Sequence, residues 1–254
     1  MPRCAYQAAV RLIDGRVMII SGGSNAYPYV TPTSEIYDPV TGLWTKVAGI
    51  PTSGPGTLPN GHTGFAVTLL RDGKVLMAGG YDGYFGNTSA GVFRYDPALN
   101  TWQIMTPMAV QRNQFTGTLL PDCRVLLVAG RHALSLSSYT SAEIYDPSAL
   151  PNGAVSFTPP NPVPRAFHAS TLTTSGRVLV TGGFEYVGSS CCTVSTRNAA
   201  LYDPALNAWL AASPMTDART TQTSTLLPSG DILASSPAEA GSTPRRAPTN
   251  PTRD

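Results

Sequence analysis

Three arginines and a histidine stand at one fixed distance from a repeated turn. His62, Arg112, Arg165 and Arg219 each lie eleven residues before the second residue of an Asp-Gly, Asp-Cys or Ser-Gly pair, at Gly73, Cys123, Gly176 and Gly230. Cys4 holds the same place before Gly15, with Arg3 one step off. Guanidiniums brought together by such a spacing would make a cationic site for a carboxylate, a phosphate or an acidic peptide. Aromatic side chains gather in the longer connections: Tyr27 and Tyr29; Tyr81, Tyr84 and Phe85; Tyr139; Phe184 and Tyr186. Rings carried on long loops of a rigid scaffold suit ligand contact. The candidate binding set is His62, Arg112, Arg165, Arg219, Tyr81, Tyr84 and Tyr186, and no residue is assigned a catalytic role.

Metal chemistry finds little support. The three histidines, His62, His132 and His168, fall in different repeats and at different depths, whereas a metal site needs ligands converging from neighbouring positions. No Ser/His/Asp elbow and no phosphate-cradling glycine loop is present. No cofactor is expected.

The elements that position these side chains are written four and a half times. "DGRVMIISGG" from Asp14 returns as "DGKVLMAGG" from Asp72, "DCRVLLVAG" from Asp122 and "SGRVLVTGG" from Ser175, with a weaker "SGDILASSP" from Ser229. Tyr-Asp-Pro triplets begin at Tyr37, Tyr95, Tyr145 and Tyr202; Trp44, Trp102 and Trp209 follow their tyrosines by seven residues, and the third repeat offers Phe157. A period near 50 residues demands one structural unit per repeat. Each unit reads as four strands. Strand a is the Thr/Leu-rich run before the turn, and the Asp-Gly pair makes a tight two-residue hairpin. Strand b is apolar on both faces and so fully buried, and its closing glycine pair suits close approach of another backbone. Strand c ends in Tyr-Asp-Pro, where Pro fixes φ and Asp caps nearby amides. Strand d begins at the tryptophan.

Composition agrees with short strands and many turns: 24 Gly and 23 Pro, with only 13% of residues charged. A net charge of +2 is too small to argue for nucleic acid or an anionic membrane. No segment has the length of a membrane span, and "MPRCAYQAAV" lacks the pattern of a signal peptide. A cytoplasmic location is expected, unless the chain is a fragment of a secreted or surface protein. Four cysteines in 254 residues make no disulfide framework. Cys123 falls in an a–b turn, on the face opposite the loop holding Cys191 and Cys192.

The glycine pair, the tyrosine before a tryptophan and the Arg or His opening strand a resemble kelch repeats, across roughly residues 3 to 236. The resemblance implies an all-β fold, a kelch-type β-propeller with strand a innermost. Four complete four-stranded blades are expected at about 3–50, 60–108, 110–160 and 164–215, with a partial fifth at 217–236. Ser236 and Pro237 replace its glycine pair, and the Pro-rich tail 237–254 is expected to be disordered. Kelch propellers usually close with six or seven blades, so the chain is expected to be part of a larger propeller or an open arc that self-associates through its end blades.

The resemblance also places the Arg/His column at the mouth of the central channel, on the face of the b–c and d–a loops. There it would form a cationic funnel, or it would brace the blades through hydrogen bonds as this position often does in kelch proteins. Copper oxidases with kelch propellers, such as galactose oxidase, use an adjacent Tyr-His pair; here Gly61, Arg131 and Phe167 precede the histidines. Mutarotase-like kelch enzymes need only a few polar groups at the mouth. The expected function is a non-catalytic interaction module whose partner is a protein, an acidic peptide or a carbohydrate, docking on the b–c/d–a face. The alternative is a fragment of a carbohydrate-active or galactose oxidase-like enzyme.

Overall fold

The computed structural model describes residues 7–22, 30–82, 86–134, 137–186 and 193–236. Cys4, Tyr27, Tyr29, Tyr84, Phe85, Cys191, Cys192 and the tail 237–254 lie outside these described residues. Four antiparallel four-stranded sheets follow one another along the chain. The first holds β1 (Ala8–Arg11), β2 (Val17–Ile20), β3 (Ser34–Asp38) and β4 (Leu43–Val47). The second holds β5 (Ala66–Leu69), β6 (Val75–Ala78), β7 (Val92–Asp96) and β8 (Thr101–Met105). The third holds β9 (Thr116–Leu119), β10 (Val125–Val128), β11 (Ala142–Asp146) and β12 (Ala154–Phe157). In the fourth, β13 (Ala169–Leu172) and β14 (Val178–Thr181) are followed by a small hairpin, β15 (Phe184–Tyr186) and β16 (Thr193–Ser195), before β17 (Ala199–Asp203) and β18 (Ala208–Ala212). A two-stranded sheet, β19 (Thr223–Leu226) and β20 (Ile232–Ser235), comes last.

Register is the same in every full sheet. The first residue of strand b faces the tyrosine of strand c: Val17 with Tyr37, Val75 with Tyr95, Val125 with Tyr145, Val178 with Tyr202. Three of those tyrosines then face a tryptophan on strand d, with ring centroids 5.1–5.2 Å apart. Blade 3 corrects the expectation for Phe157. A longer c–d connection sets Val155 opposite Tyr145 and moves Phe157 opposite Glu143, where its ring is largely exposed. The Asp of each triplet accepts amide hydrogen bonds from the turn that follows, for example from Ala98 and Leu99 to Asp96.

The blades stack through backbone as much as through side chains. In blades 2 to 4, the residue two past the Arg/His column is left-handed, with φ of 64° at Gly64, 53° at Gln114 and 56° at Phe167; Thr221 follows at 51°. Each passes a hydrogen bond to its predecessor: Gln114 N–H to the Gly64 carbonyl, Phe167 to Gln114, and Thr221 to Phe167. Beside this chain, the N–H groups of Gly80, Gly130 and Gly183 donate to the carbonyls of Arg112, Arg165 and Arg219 in the next blade. In blade 2 a glycine pair fills this place: Gly79 and Gly80 have φ of 68° and 98°, and a Cβ on Gly79 would lie 2.5 Å from the Arg112 carbonyl oxygen, whereas Ser21 and Ala129 hold the first position at 49° and 56° in blades 1 and 3. On the rim, the Trp102 and Trp209 indole N–H groups donate to Ala48 and Pro159 of the preceding blade.

The core consists of three clusters, one between each successive pair of full blades. Burial of strand b follows from this arrangement. β6 and β10, flanked on both sides, are buried at all four positions, whereas β20 at the end alternates with exposed residues. The expectation that every strand b is fully buried is therefore corrected for the end blades, which have one neighbour. Packing of the innermost strands runs β1–β5–β9–β13–β19, and among the described residues no packing of that extent joins β19 to β1. Among the described residues the blades therefore follow one another as an arc. At its open first flank Trp44 is 55% exposed.

The a–b turn is also tighter in expectation than in fact. Leu12 N–H bonds the Arg16 carbonyl and Gly15 N–H bonds the Leu12 carbonyl, leaving a three-residue loop in which only Gly15 has positive φ. In blade 3 the same position is Cys123, a free, exposed cysteine at φ 73°. A side chain in the left-handed region costs about 1–2 kcal/mol, partly offset by the chain entropy that glycine adds to the unfolded state, about 0.5–1 kcal/mol. Cys123→Gly is expected to raise the melting temperature by about 2–4 °C, and Cys123→Val to lower it. A melting temperature that falls with glycine would contradict the strain assigned to this turn.

Candidate functional site

The Arg/His column exists, but it points inward. Arg112 and Arg165 are wholly buried. Arg112 Nη1 donates to the carbonyls of Ala129 (2.7 Å) and Ser141 (3.0 Å), and Arg165 Nη1 to those of Gly182 (3.2 Å) and Asn198 (3.1 Å). In both blades one guanidinium therefore clamps the end of strand b to the residue that precedes strand c. The cationic funnel is corrected here: both guanidiniums are wholly buried and donate to the backbone of their own blade, so neither lies on the surface. Arg112 also pairs with the buried Glu143, whose carboxylate accepts the amides of Ala109 and Val110. Burial pulls the Arg112 guanidinium below its ordinary value, and Glu143 opposes that pull.

His62 does the same work with one donor. Its Nδ1 lies 2.8 Å from the Gly79 carbonyl, which can only accept, so the proton sits on Nδ1. Burial holds its pKa down at about 4. His168, aligned with Phe65 and Phe115, is buried beside Thr116 Oγ1; burial, then the Arg165 and Arg112 charges, push it down to about 3. Arg219 differs. With β20 the last strand of its sheet, its guanidinium reaches Ser236 Oγ at 3.2 Å and Asp217 at 3.5 Å and stays partly exposed.

The surface at the loop-face mouth is built by other residues. Gly64 is flanked by Tyr81 and Gln114, which a Cβ there would meet at 3.5 and 3.3 Å. Tyr81 bridges Thr63 and Thr88, Arg131 bridges Asn113 and Ser138, and Phe184 bridges Ala166. Phe167 and Phe184 stack at 4.8 Å. The hydrogen-bonded left-handed residues and the bridge residues thus set Tyr81, Gln114, Arg131, Phe167 and Phe184 along one rim, all of them part-exposed. Of the candidates read from sequence, Tyr81 belongs to this row, and Tyr186 ends β15 in the adjoining hairpin. Gln114, Arg131 and Phe167 were missed because their columns hold a different residue type in each blade. Their place in the repeat was the only trace of them.

The opposite face carries features that sequence spacing did not disclose. Grooves lie between successive blades there, one lined by Ile13, Asp14, Arg16, Lys74 and Asp96, and another by Asp122, Arg177, Asp203 and Pro204. Turn tips present exposed Ile13, Val40, Leu99, Leu150 and Leu206. Among the described residues no three His, Cys, Asp or Glu side chains converge as metal ligands, and no helix is long and apolar enough to cross a membrane.

Residues 64–109, which enclose β5 to β8, match the Kelch motif family model. The chain is 34% identical over 107 residues to an F-box/kelch-repeat protein of Arabidopsis thaliana, covering 41% of this chain and 27% of that protein. It is 26% identical over 198 residues to Kelch-like protein 36 of Mus musculus, covering 76% of this chain and 29% of that one. The chain thus spans under a third of the length of either relative. Among solved structures, YjhT superposes with a TM-score of 0.72 at 14% identity, over 88% of this chain and 74% of that one. A fungal alcohol oxidase of the AA5 family in complex with copper gives 0.56 at 15% identity, over 89% and 57%. Likenesses at such identity speak for the fold alone. The described histidines do not converge: His62 and His168 are buried and engaged separately, and His132 accepts the Leu134 amide in a loop of another blade.

Two stability outcomes follow. Glu143→Ala would strand the buried Arg112 charge and is expected to cost about 3–5 kcal/mol in urea unfolding; a loss below about 1 kcal/mol would contradict the clamp. The histidines bind fewer protons folded than unfolded between their native values, about 4 and 3, and the ordinary 6.5. Stability is therefore full above pH 6.5 and falls as pH drops through that window, by roughly 3 kcal/mol at most for His62. His168→Phe, which restores the residue of blades 2 and 3, should flatten part of that fall. An unchanged pH profile would show that His168 is not buried neutral.

Proposed function

We propose that this kelch-repeat β-propeller arc is a non-catalytic interaction module that takes an acidic polypeptide partner on its b–c/d–a face. The observation that carries the reading is the rim of Tyr81, Gln114, Arg131, Phe167 and Phe184, with Gln114 and Phe167 held by backbone hydrogen bonds between blades and Tyr81, Arg131 and Phe184 by bridges within their own blades. Rigid aromatics give contact area at low entropic cost, and a guanidinium among them favours carboxylates. Arg131, a part-exposed side chain of that rim, takes the role that sequence spacing gave to Arg112 and Arg165. Arg112 and Arg165 support the site from beneath, by fixing the strand ends on which the rim residues stand. That the curated relatives carry kelch repeats in their names adds to the reading, because repeat scaffolds expose long concave surfaces suited to protein contact.

A peptide array of mixed composition, probed with the purified chain, tests this. Enriched peptides are expected to be rich in Asp and Glu, to bind more weakly as salt rises, and to lose about tenfold or more in affinity to Arg131→Ala. The Ile13→Ser, Leu99→Ser and Leu206→Ser triple variant on the other face should bind as well as wild type. Enrichment of neutral peptides, or binding lost in the triple variant and kept in Arg131→Ala, would move the docking face to the a–b/c–d side.

A further inference from the structure

The c–d turns of the four full blades share one construction and carry one residue that the construction does not require. The Asp of each Tyr-Asp-Pro triplet accepts the amides that follow it: Val40 and Thr41 at Asp38, Ala98 and Leu99 at Asp96, Ser148 at Asp146, Ala205 and Leu206 at Asp203. A left-handed residue, Gly42, Asn100, Gly153 or Asn207, then closes the turn. Between these two fixed points each blade presents one branched aliphatic side chain. Val40, Leu99, Leu150 and Leu206 are 66–93% exposed and belong to none of the three core clusters. Turns favour Gly, Pro, Asn, Asp and Ser, and neither the cap nor the left-handed position calls for an aliphatic residue between them. A single exposed leucine is ordinary surface, but one such tip per blade on a single face marks a contact.

The same face carries matching depressions. At each junction between full blades, the a–b turn of one blade and the a–b and c–d turns of the next enclose a groove. Asp14, Lys74, Asp96 and Pro97 line the first, of about 340 Å³. Asp72, Cys123, Pro147 and Ser148 line the second, of about 220 Å³. Asp122, Arg177, Asp203 and Pro204 line the third, of about 370 Å³. Tips and grooves therefore alternate with one pitch, that of the blade. Charge on the groove walls is mixed: Lys74 pairs with Asp96 at 3.2 Å and Arg177 with Asp203 at 2.8 Å. A partner of one sign would gain at one wall what it loses at the other.

We infer that this turn face docks a second copy of the chain, face to face, with the aliphatic tips of each copy seated in the blade-junction grooves of the other. Pitch and charge both identify the occupant. A second copy presents its tips at the spacing of the grooves, because the blade repeat sets both. Its walls of Lys or Arg beside Asp answer the same mixture opposite. An isologous contact uses one self-complementary patch twice, and this one leaves the b–c/d–a faces of both copies pointing outward.

Sedimentation equilibrium of the full chain tests the inference, with Cys123 as a reporter because it is exposed and lines the middle groove. The weight-average mass is expected to rise with concentration from that of one chain towards that of two. Alkylation of Cys123 by iodoacetamide, read by peptide mass mapping, should slow severalfold over the same range. Leu99→Ser combined with Leu206→Ser should weaken the dimer about tenfold or more and remove the concentration dependence of alkylation. Leu99→Met combined with Leu206→Met should retain both. Melting temperatures of the dilute variants should match wild type, which separates lost docking from lost folding; if the serine pair is destabilised, the Cys123 alkylation of wild type decides. A chain that stays monomeric at every concentration would overturn the inference. A dimer indifferent to the serine pair, or one that leaves Cys123 alkylation unchanged, would move association to the blade edges and overturn it too. Monomers that bind phosphatidylcholine vesicles through the tips, without dimerising, would give the face to a lipid surface instead.

Discussion

Close approach of successive backbones at the inner ends of the blades is the constraint on which the rest of this structure depends. A strand b buried on both faces has no room for side-chain spacers at its exit, so the chain must turn there with positive φ and let its N–H meet the next blade's carbonyl. Satisfying those polar groups makes the dry interface possible, because a buried unpaired amide would cost as much as several methylenes gain. The glycine pair, the left-handed column and the Arg clamp are three parts of one solution. Glycine supplies the turn, the left-handed residue relays the bond between blades, and the guanidinium ties strand b to strand c within a blade.

That division of labour explains why the most conspicuous chemistry in the sequence is not the surface chemistry. Arg112 and Arg165 recur because each blade needs the same clamp, and a residue that recurs for scaffold reasons is buried wherever the scaffold is complete. Arg219, beside the two-stranded last sheet of the described residues, is the column arginine whose guanidinium remains partly outside. On the proposed reading, individual recognition belongs instead to columns that change from blade to blade, such as Gly64, Gln114, Phe167 and Thr221. Their backbone is fixed by the repeat while their side chains vary.

Much of the fold was legible in the residues. The period, the tyrosine–tryptophan offset and the glycine pair foretell four-stranded blades, and the Asp caps appear where Asp-Pro stands. Three things were not legible, each for a physical reason. Insertion in the third c–d turn shifted register, so Val155 and not Phe157 meets Tyr145. Turn length depends on hydrogen bonding and not on the Asp-Gly pair alone, so the a–b loop has three residues. The direction of a long cationic side chain is decided by which carbonyls lie within reach, which no spacing reveals, and the Arg column therefore turned inward.

The central claim, that backbone hydrogen bonds between blades carry the arc, is tested most directly by amide hydrogen exchange. The N–H groups of Gly80, Gly130, Gly183, Gln114 and Phe167 are predicted to exchange as slowly as those in the core of β6 and β10, opening only with global unfolding. Exchange at these five amides as fast as in the turns at Asp72 or Asp122 would contradict the account, leaving side-chain packing alone to hold the blades together.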